Sequence, residues 1–213
     1  MTASVKVFSL AEAAKIVKRG GVVAYPTETV YGLGADPRNR TALRKIFKVK
    51  GREKGKPILI LISSRAVLKK WVLGCGRRER ILMNAFWPGP LTLVFRAKKG
   101  VPLELTAGKG KIGIRFSSLK TATALCRKVG GAITSTSANR SGEPALTKAG
   151  SVQKILGQKL DGIIEERCGK LKSKGSTILD ISGIKMKVLR EGDIPFKKIK
   201  SILQKKGFPH AAL

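Results

Sequence analysis

The chain has 213 residues, with 44 Lys and Arg against 13 Asp and Glu, a formal charge of +31. Hydrophobic residues make up 42%, enough for a packed core despite the charge. A length of this order suits one large α/β domain or two small ones. No apolar run of about 18 residues is present, so no transmembrane helix is expected. The first ten residues, MTASVKVFSL, lack the apolar stretch and small-residue cleavage site of a signal peptide. A cytoplasmic location without membrane association is therefore expected.

The rare residues exclude the most chemistry. The one His, His210, is the fourth residue from the end of the sequence, and any His-based triad, HExxH zinc site or His general base would have to use it. Cys75, Cys126 and Cys168 are widely spaced and form no CxxC, so neither a zinc ribbon nor a disulfide framework is expected. Glu165 and Glu166 are the only adjacent acidic pair. Chemistry is left to Lys, Arg, Ser, Thr, Asn and backbone amides, which are groups that bind anions.

In chain order, Ser9 to Gly21 reads as a helix. Ser9 and Glu12 form a capping box, Ala13, Ile16 and Val17 supply the apolar face, and Gly20 ends it. GVVAY (21–25) is a short buried strand stopped by Pro26, and PTETVYGLGADP is a loop. Thr41 to Lys48 is a helix with Leu43, Ile46 and Phe47 inward. KGREKGKP breaks regular structure before the strand ILILI (58–62). Ser63 or Ser64 caps a helix ending near Trp71, and Arg77 to Phe86 is another. WPGP (87–90) is a rigid turn, followed by strands at 91–95 and 112–116. A helix at Leu119–Val129 precedes the strand AITSTS (132–137) and the loop NRSGEPA. Val152 to Leu160 is helical; DGIIEE, STILDI and KMKVLR are strands; Ile194 to Lys205 is a closing helix, with loose packing expected beyond it. Strands alternate with helices without a linker or repeat. This predicts one α/β domain over residues 1–213, with a mixed sheet and flanking helices.

The charge is unevenly spread. Nine basic residues lie between Arg38 and Lys56, opposed there only by Glu53. Further clusters are Lys69/Lys70, Arg77/Arg78/Arg80, Lys170/Lys172/Lys174 and Lys197/Lys198/Lys200. A surface of this kind predicts an anionic partner: RNA, a nucleotide or both. Apart from Phe47 on the inward helix face, neither the Arg38–Lys56 stretch nor the Lys170–Lys174 cluster is interleaved with aromatics, so RNA binding, tRNA included, would be electrostatic and salt-sensitive.

Three motifs bring chemistry to strand ends. YPTETVYGLG (25–34) places Thr27 and Thr29 in a loop whose hydroxyls and amides can hold a small polar ligand. Lys50-Gly51-Arg52 combines a point charge with a planar fork, a pair suited to a carboxylate beside a phosphate. In STSAN (135–139), Ser137 and Asn139 alternate along extended chain and so face one side. Taken singly, each also reads as an ordinary loop or turn.

Together and in this order the motifs resemble the YrdC/YciO family. YPTETVYGLGAD, KGR before KPILILI, FWPGPLTLV, IGIRF, STSAN with its following SG-P, GSTILD and LREG carry the resemblance, across about residues 8–195. It implies a twisted open mixed sheet with a large basic cavity. The intact K-x-R and S-x-N pairs point to the branch that makes L-threonylcarbamoyladenylate from L-threonine, bicarbonate or CO2, and ATP, releasing pyrophosphate. A transferase complex then moves the threonylcarbamoyl group to the adenine beside a tRNA anticodon. The resemblance implies that Thr29, Lys50, Ser137 and Ser176 hold threonine. It assigns Arg52, Lys56, Arg115, Asn139, Thr147 and Arg190 to ATP, with Lys50, Arg52, Ser137 and Asn139 as the catalytic set. Mg2+ would arrive with ATP, with no protein metal cage. The chain departs from the pattern twice. Leu61 stands where many members have a pocket His, and Ser117-Ser118-Leu119-Lys120 stands where many have a second. Two other readings stay open: a non-enzymatic RNA-binding or ribosome-maturation factor, and a YciO-like paralogue with different nucleotide chemistry.

Overall fold

The computed structural model describes residues 7–53, 55–169 and 173–208. Lys54, Lys170, Lys172 and His210 of the sequence-based readings lie outside the described residues.

Helix α1 (Leu10–Lys18) starts on the expected capping box: Ser9 Oγ accepts from Glu12 N, and Glu12 Oε2 accepts from Ser9 N. It buries Ala13, Ala14 and Val17. Strand β1 (Val23–Tyr25) follows. The loop expected after it doubles back as β2 (Gly32–Gly34), antiparallel to β1 with Ala24 opposite Leu33. Strands seldom contain glycines, but these two face close neighbours. A Cβ on Gly34 would sit 2.7 Å from Ile133 Cδ1 and 2.8 Å from the Tyr25 ring.

Helix α2 (Arg40–Lys50) is capped by Asn39, whose Oδ1 accepts from Ala42 N at 3.0 Å, and it ends on Gly51 at φ 60°. It runs two residues past its predicted end, so Lys50 belongs to the helix rather than to a loop. The remaining elements are β3 (Ile60–Ile62), α3 (Arg77–Phe86), β4 (Leu91–Arg96), α4 (Leu103–Thr106), β5 (Lys111–Arg115), α5 (Lys120–Lys128), β6 (Ala132–Thr134), β7 (Thr136–Ser137), α6 (Ala149–Leu156), β8 (Gly162–Ile163), β9 (Thr177–Asp180), β10 (Lys187–Arg190) and α7 (Phe196–Lys205). The segment expected as a helix after β3 is a 3-10 turn, Arg65–Lys70, and another at Gly157–Lys159 closes α6. Helix α4 is too short to show a period in sequence.

The architecture is mixed α/β, as read from the sequence, with the strands divided between two sheets. One has the order β7-β2-β1-β8 and the other β10-β9-β4-β5-β3-β6. Each contains parallel and antiparallel pairs. The predicted strand 132–137 is the bridge between them. Thr134 pairs with Ile60 in the larger sheet, and Thr136 with Leu33 in the smaller. The Thr134 hydroxyl fastens the junction, donating to Leu33 O at 2.9 Å and accepting from Ala35 N at 2.8 Å.

Two apolar clusters support this frame. The larger includes Leu33, Leu43, Ile46, Ile60, Leu91 and Leu93. The smaller packs α1 and α5 around Tyr25, Leu61, Ile133 and Cys126. Each fully buried Leu or Ile is worth about 1.5–3 kcal/mol relative to exposure. Leu61 is wholly buried in this cluster and is not on the cavity wall described below. Burial pushes the Cys126 thiol up to about 12, consistent with a structural residue. Beyond Lys205, Phe208 packs against the larger cluster and lies 5.6 Å from the Arg77 guanidinium, so the chain is held that far rather than loose. Among the described residues no helix is long and apolar enough to cross a membrane.

Candidate active site

A cavity of about 800 Å³ opens where the sheets meet. Its wall takes residues from the β1–β2 loop (Thr29, Val30), β4 (Thr92, Val94), β5 (Lys111, Gly113, Arg115), the β6–β7 crossing (Ser135, Thr136, Ser137) and β9–β10 (Ile178, Asp180, Leu189, Arg190). Seven residues named from sequence come together on it: Thr29, Arg52, Lys56, Arg115, Ser137, Ser176 and Arg190. Chain segments far apart in sequence thus meet because the two sheets share the β6–β7 crossing.

Lys50, Asn139 and Thr147 are not on the wall. Lys50 and Asn139 form a layer directly behind it. Lys50 Nζ donates to the carbonyl of Ser137, to Asn139 O at 2.9 Å and to Asn139 Oδ1 at 3.1 Å. Asn139 Nδ2 in turn donates to the carbonyls of Arg140 and Glu143 at 2.9 and 2.6 Å. Lys50 thus joins the first motif to the strand end that carries the second. Thr147 is half-buried just before α6, apart from the rest.

The hydroxyls are prearranged. Thr27 Oγ1 donates to Val30 O at 2.7 Å and accepts from Thr29 N and Val30 N, which folds the PTET stretch into a tight turn. Thr29 Oγ1 is 3.0 Å from Thr27 Oγ1 and accepts from Arg115 Nη1 at 3.0 Å. Across the cavity, Ser176 Oγ is 2.9 Å from Thr92 Oγ1. Arg190 clamps this serine, its Nε and Nη2 donating to Ser176 O at 3.0 and 2.7 Å.

The electrostatics favour anions. The wall holds Arg52, Lys56, Lys109, Lys111, Arg115, Lys174 and Arg190, with Asp180 as the single carboxylate among the described lining residues. Asp180 is already engaged: Lys111 Nζ reaches its Oδ2 at 2.8 Å, and Ser182 donates to its Oδ1 through N and Oγ. Partial burial acts to raise its pKa, but the Lys111 and Ser182 hydrogen bonds outweigh burial and hold it below its ordinary value. Burial, aided by the nearby Arg52, lowers Lys50 to about 8. Arg52 and Arg190 are likewise shifted down, chiefly by desolvation. Desolvated cations facing open space are stabilised by an incoming anion. No group of three or more His, Cys, Asp and Glu among the described residues could hold a metal ion. With Asp180 saturated, the wall does not fit a protein-held cation.

Sequence reasoning missed Lys109, Lys111 and Glu28, and named Lys174 only as part of a basic cluster. A signal existed for Lys111: in β5, residues 111, 113 and 115 share one face by strand alternation, so Arg115 on the cavity implies Lys111 there too. Glu28 lies buried between the two threonines and pairs with Arg115 at 3.0 Å.

Comparison with known proteins gives the family. The family described as Sua5_yciO_yrdC, Telomere recombination, matches residues 15–192. A protein of Thiobacillus denitrificans named Threonylcarbamoyl-AMP synthase is 39% identical over 166 residues, covering 78% of this chain and 87% of the relative. The Bacillus subtilis protein of the same name is 35% identical over 195 residues, 91% of this chain and 56% of its own length. Among solved structures, P. abyssi Sua5 complexed with L-threonine superposes with a TM-score of 0.87 at 33% identity, over 91% of this chain and 57% of that one. E. coli YciO superposes with a TM-score of 0.79 at 26% identity, over 89% and 92%. The chain belongs to the Sua5/YciO/YrdC family.

Proposed function

We propose that this chain is an enzyme that makes L-threonylcarbamoyl-AMP from L-threonine, bicarbonate or CO2, and ATP. The observation that carries this reading is a single cavity that brings the prearranged hydroxyls of Thr29 and Ser176, together with Ser137, onto one wall with seven cations. A volume of about 800 Å³ lies within the range of small-molecule sites. Relatives named Threonylcarbamoyl-AMP synthase, and the threonine complex of P. abyssi Sua5, support the choice of substrate.

In this reading the threonine amine adds to CO2, giving a carbamate and releasing one proton to solvent. A carbamate oxygen attacks the α-phosphorus of ATP, the bond to the β-phosphate oxygen breaks, and pyrophosphate leaves. The nucleophile is already anionic, so the step needs positioning and charge stabilisation more than a strong base. Thr29, Ser137 and Ser176 hold the amino acid, and Arg52, Lys56, Arg115 and Arg190 face the nucleotide. Lys50 and Asn139 act from behind by fixing the Ser137 strand end. Mg2+ enters as the counter-ion of the triphosphate, ligated by phosphate oxygens. The reaction is a nucleotidyl transfer. Its product would pass to a transferase complex acting on tRNA, with the basic surface available for RNA.

The test is mass spectrometry of protein incubated with ATP, Mg2+, threonine and bicarbonate. The expected species is threonylcarbamoyl-AMP, dependent on all components. Its absence, with ATP bound but unconsumed, would favour a paralogue of different nucleotide chemistry.

A further inference from the structure

Four consecutive residues of the cavity wall, Ser173, Lys174, Gly175 and Ser176, precede β9 and belong to no helix or strand. A segment of this kind keeps its shape through the hydrogen bonds it makes to other parts of the chain. Here those bonds converge on one residue beyond β10. Asp193 Oδ2 accepts from Ser173 Oγ at 2.7 Å, and Asp193 Oδ1 accepts from Lys174 N at 2.8 Å. Asp193 N donates to Gly175 O at 2.9 Å. The Ser173 hydroxyl extends the tie by accepting from Gly175 N at 2.9 Å. Asp193 itself does not line the cavity.

The backbone around Asp193 is fixed independently. Thr177 Oγ1 donates to Ile194 O at 2.6 Å and accepts from Gly192 N and Ile194 N. Hydrogen bonds to an ionised carboxylate are about twice as strong as neutral ones, so the side chain anchors the wall more firmly than a carbonyl would. Gly175 has φ 84°, and a Cβ there would lie 3.1 Å from Arg190 Nη2. The Arg190 guanidinium therefore rests against this glycine while it clamps Ser176 O.

We propose that Asp193 is a positioning residue for the amino-acid end of the cavity. Its carboxylate holds residues 173–176 in the shape that brings the Ser176 hydroxyl and the Lys174 ammonium onto the wall. This rests on the reading of Ser176 as a threonine contact given above, but its test reads binding rather than product. Asp193 touches neither substrate; it acts through Ser173 and Lys174. Arg52, Lys56 and Arg115, three of the four cations placed against the nucleotide, lie on other segments, so the effect falls on the amino acid.

Binding of L-threonine and of ATP is measured by calorimetry for the wild type, Asp193→Ala, Asp193→Asn, Ser173→Ala and the Asp193→Ala/Ser173→Ala double variant, with melting curves alongside. Asp193→Ala should weaken threonine binding by about 10–100-fold and ATP binding far less. Asp193→Asn should recover most of that loss, because the amide oxygen still accepts from Lys174 N and the amide nitrogen donates to Ser173 Oγ. With Ser173 already Ala, removing Asp193 should cost less than in the wild type, since the two share one tie. If Asp193→Ala folds poorly, Ser173→Ala carries the test, with a selective loss of threonine binding expected. Wild-type threonine affinity in the Ala variants overturns the inference, as does a failure of Asp193→Asn to restore binding. Equal losses for threonine and ATP that follow the melting temperature overturn it too, since they mark a purely structural residue. If threonine binding behaves as expected but no threonylcarbamoyl-AMP forms, the inference stands and the proposed reaction falls. If the wild type does not bind threonine, both fail.

Discussion

Lys50 Nζ lies 3.1 Å from Asn139 Oδ1 and 2.9 Å from Asn139 O, which joins two motifs that are 89 residues apart in sequence. Lys50 is 2% exposed at the end of α2. Its ammonium is the keystone of the strand end that presents Ser137. The expectation that Lys50 sits where regular structure breaks does not survive this geometry.

Lys50→Met should therefore lower stability as well as activity. Charge-assisted hydrogen bonds contribute about 1.5–3 kcal/mol, and the carbonyls of Ser137 and Asn139 would lose their donor. The pH dependence has a definite sign. Burial depresses Lys50 to about 8 from its ordinary 10.5, so between these values the unfolded chain binds more protons than the folded one. The stability contributed by the neutral form is full above the unfolded value and is lost as pH falls through the folded value. Chemical denaturation of both proteins from pH 7 to pH 10.5 should show the cost of Lys50→Met growing with pH. A pH-independent difference would mean that Lys50 keeps its ordinary pKa.

Arg52→Ala should leave the fold intact. Among the described residues its side chain bonds to backbone, Nε to Lys56 O at 3.2 Å and Nη2 to Pro57 O at 3.0 Å, in the segment after α2. It should cut kcat/KM for ATP by about 10–150-fold, the equivalent of one charge-assisted contact. Pyrophosphate release together with a melting curve checks this; normal turnover removes Arg52 from the site.

Amino-acid selectivity should rest on the hydroxyl more than the methyl. A site that hydrogen-bonds a substrate hydroxyl strongly rejects analogues lacking it, whereas a missing methyl costs only about 10–200-fold. Serine should be a slow but real substrate and 2-aminobutyrate slower still. Equal kcat/KM for 2-aminobutyrate and threonine would exclude Thr29, Ser137 and Ser176 as readers of the hydroxyl.

Gly192→Ala should destabilise the protein by about 1–3 kcal/mol, the usual cost of overpacking. A Cβ at this position would sit 2.2 Å from Gly175 O and 2.5 Å from Ser176 C, which are backbone atoms that cannot yield like a side-chain tip. The displaced segment carries Ser176, so threonine KM should rise more than ATP KM. Melting curves and substrate titrations of the purified variant decide this.

Local pattern carried much of the structure into view. The Ser9–Glu12 capping box, the helix at Arg77–Phe86 and the strand that follows WPGP are set by neighbours in the chain, so their residues announce them. The ordered motifs likewise named most residues of the cavity, since strand ends and polar loops are visible in sequence. Pairing across long range was not visible. β2 reads as a Gly-rich loop because only the Tyr25 ring and Ile133 against it explain its glycines. The split of residues 132–137 between two sheets depends on the Thr134 hydroxyl meeting Leu33 and Ala35. Lys50 reads as a solvated loop cation because its acceptors are supplied by a segment 89 residues away. Composition and period record each residue's own preference for water or for an apolar face; which buried charge meets which partner is decided only when distant segments close around it.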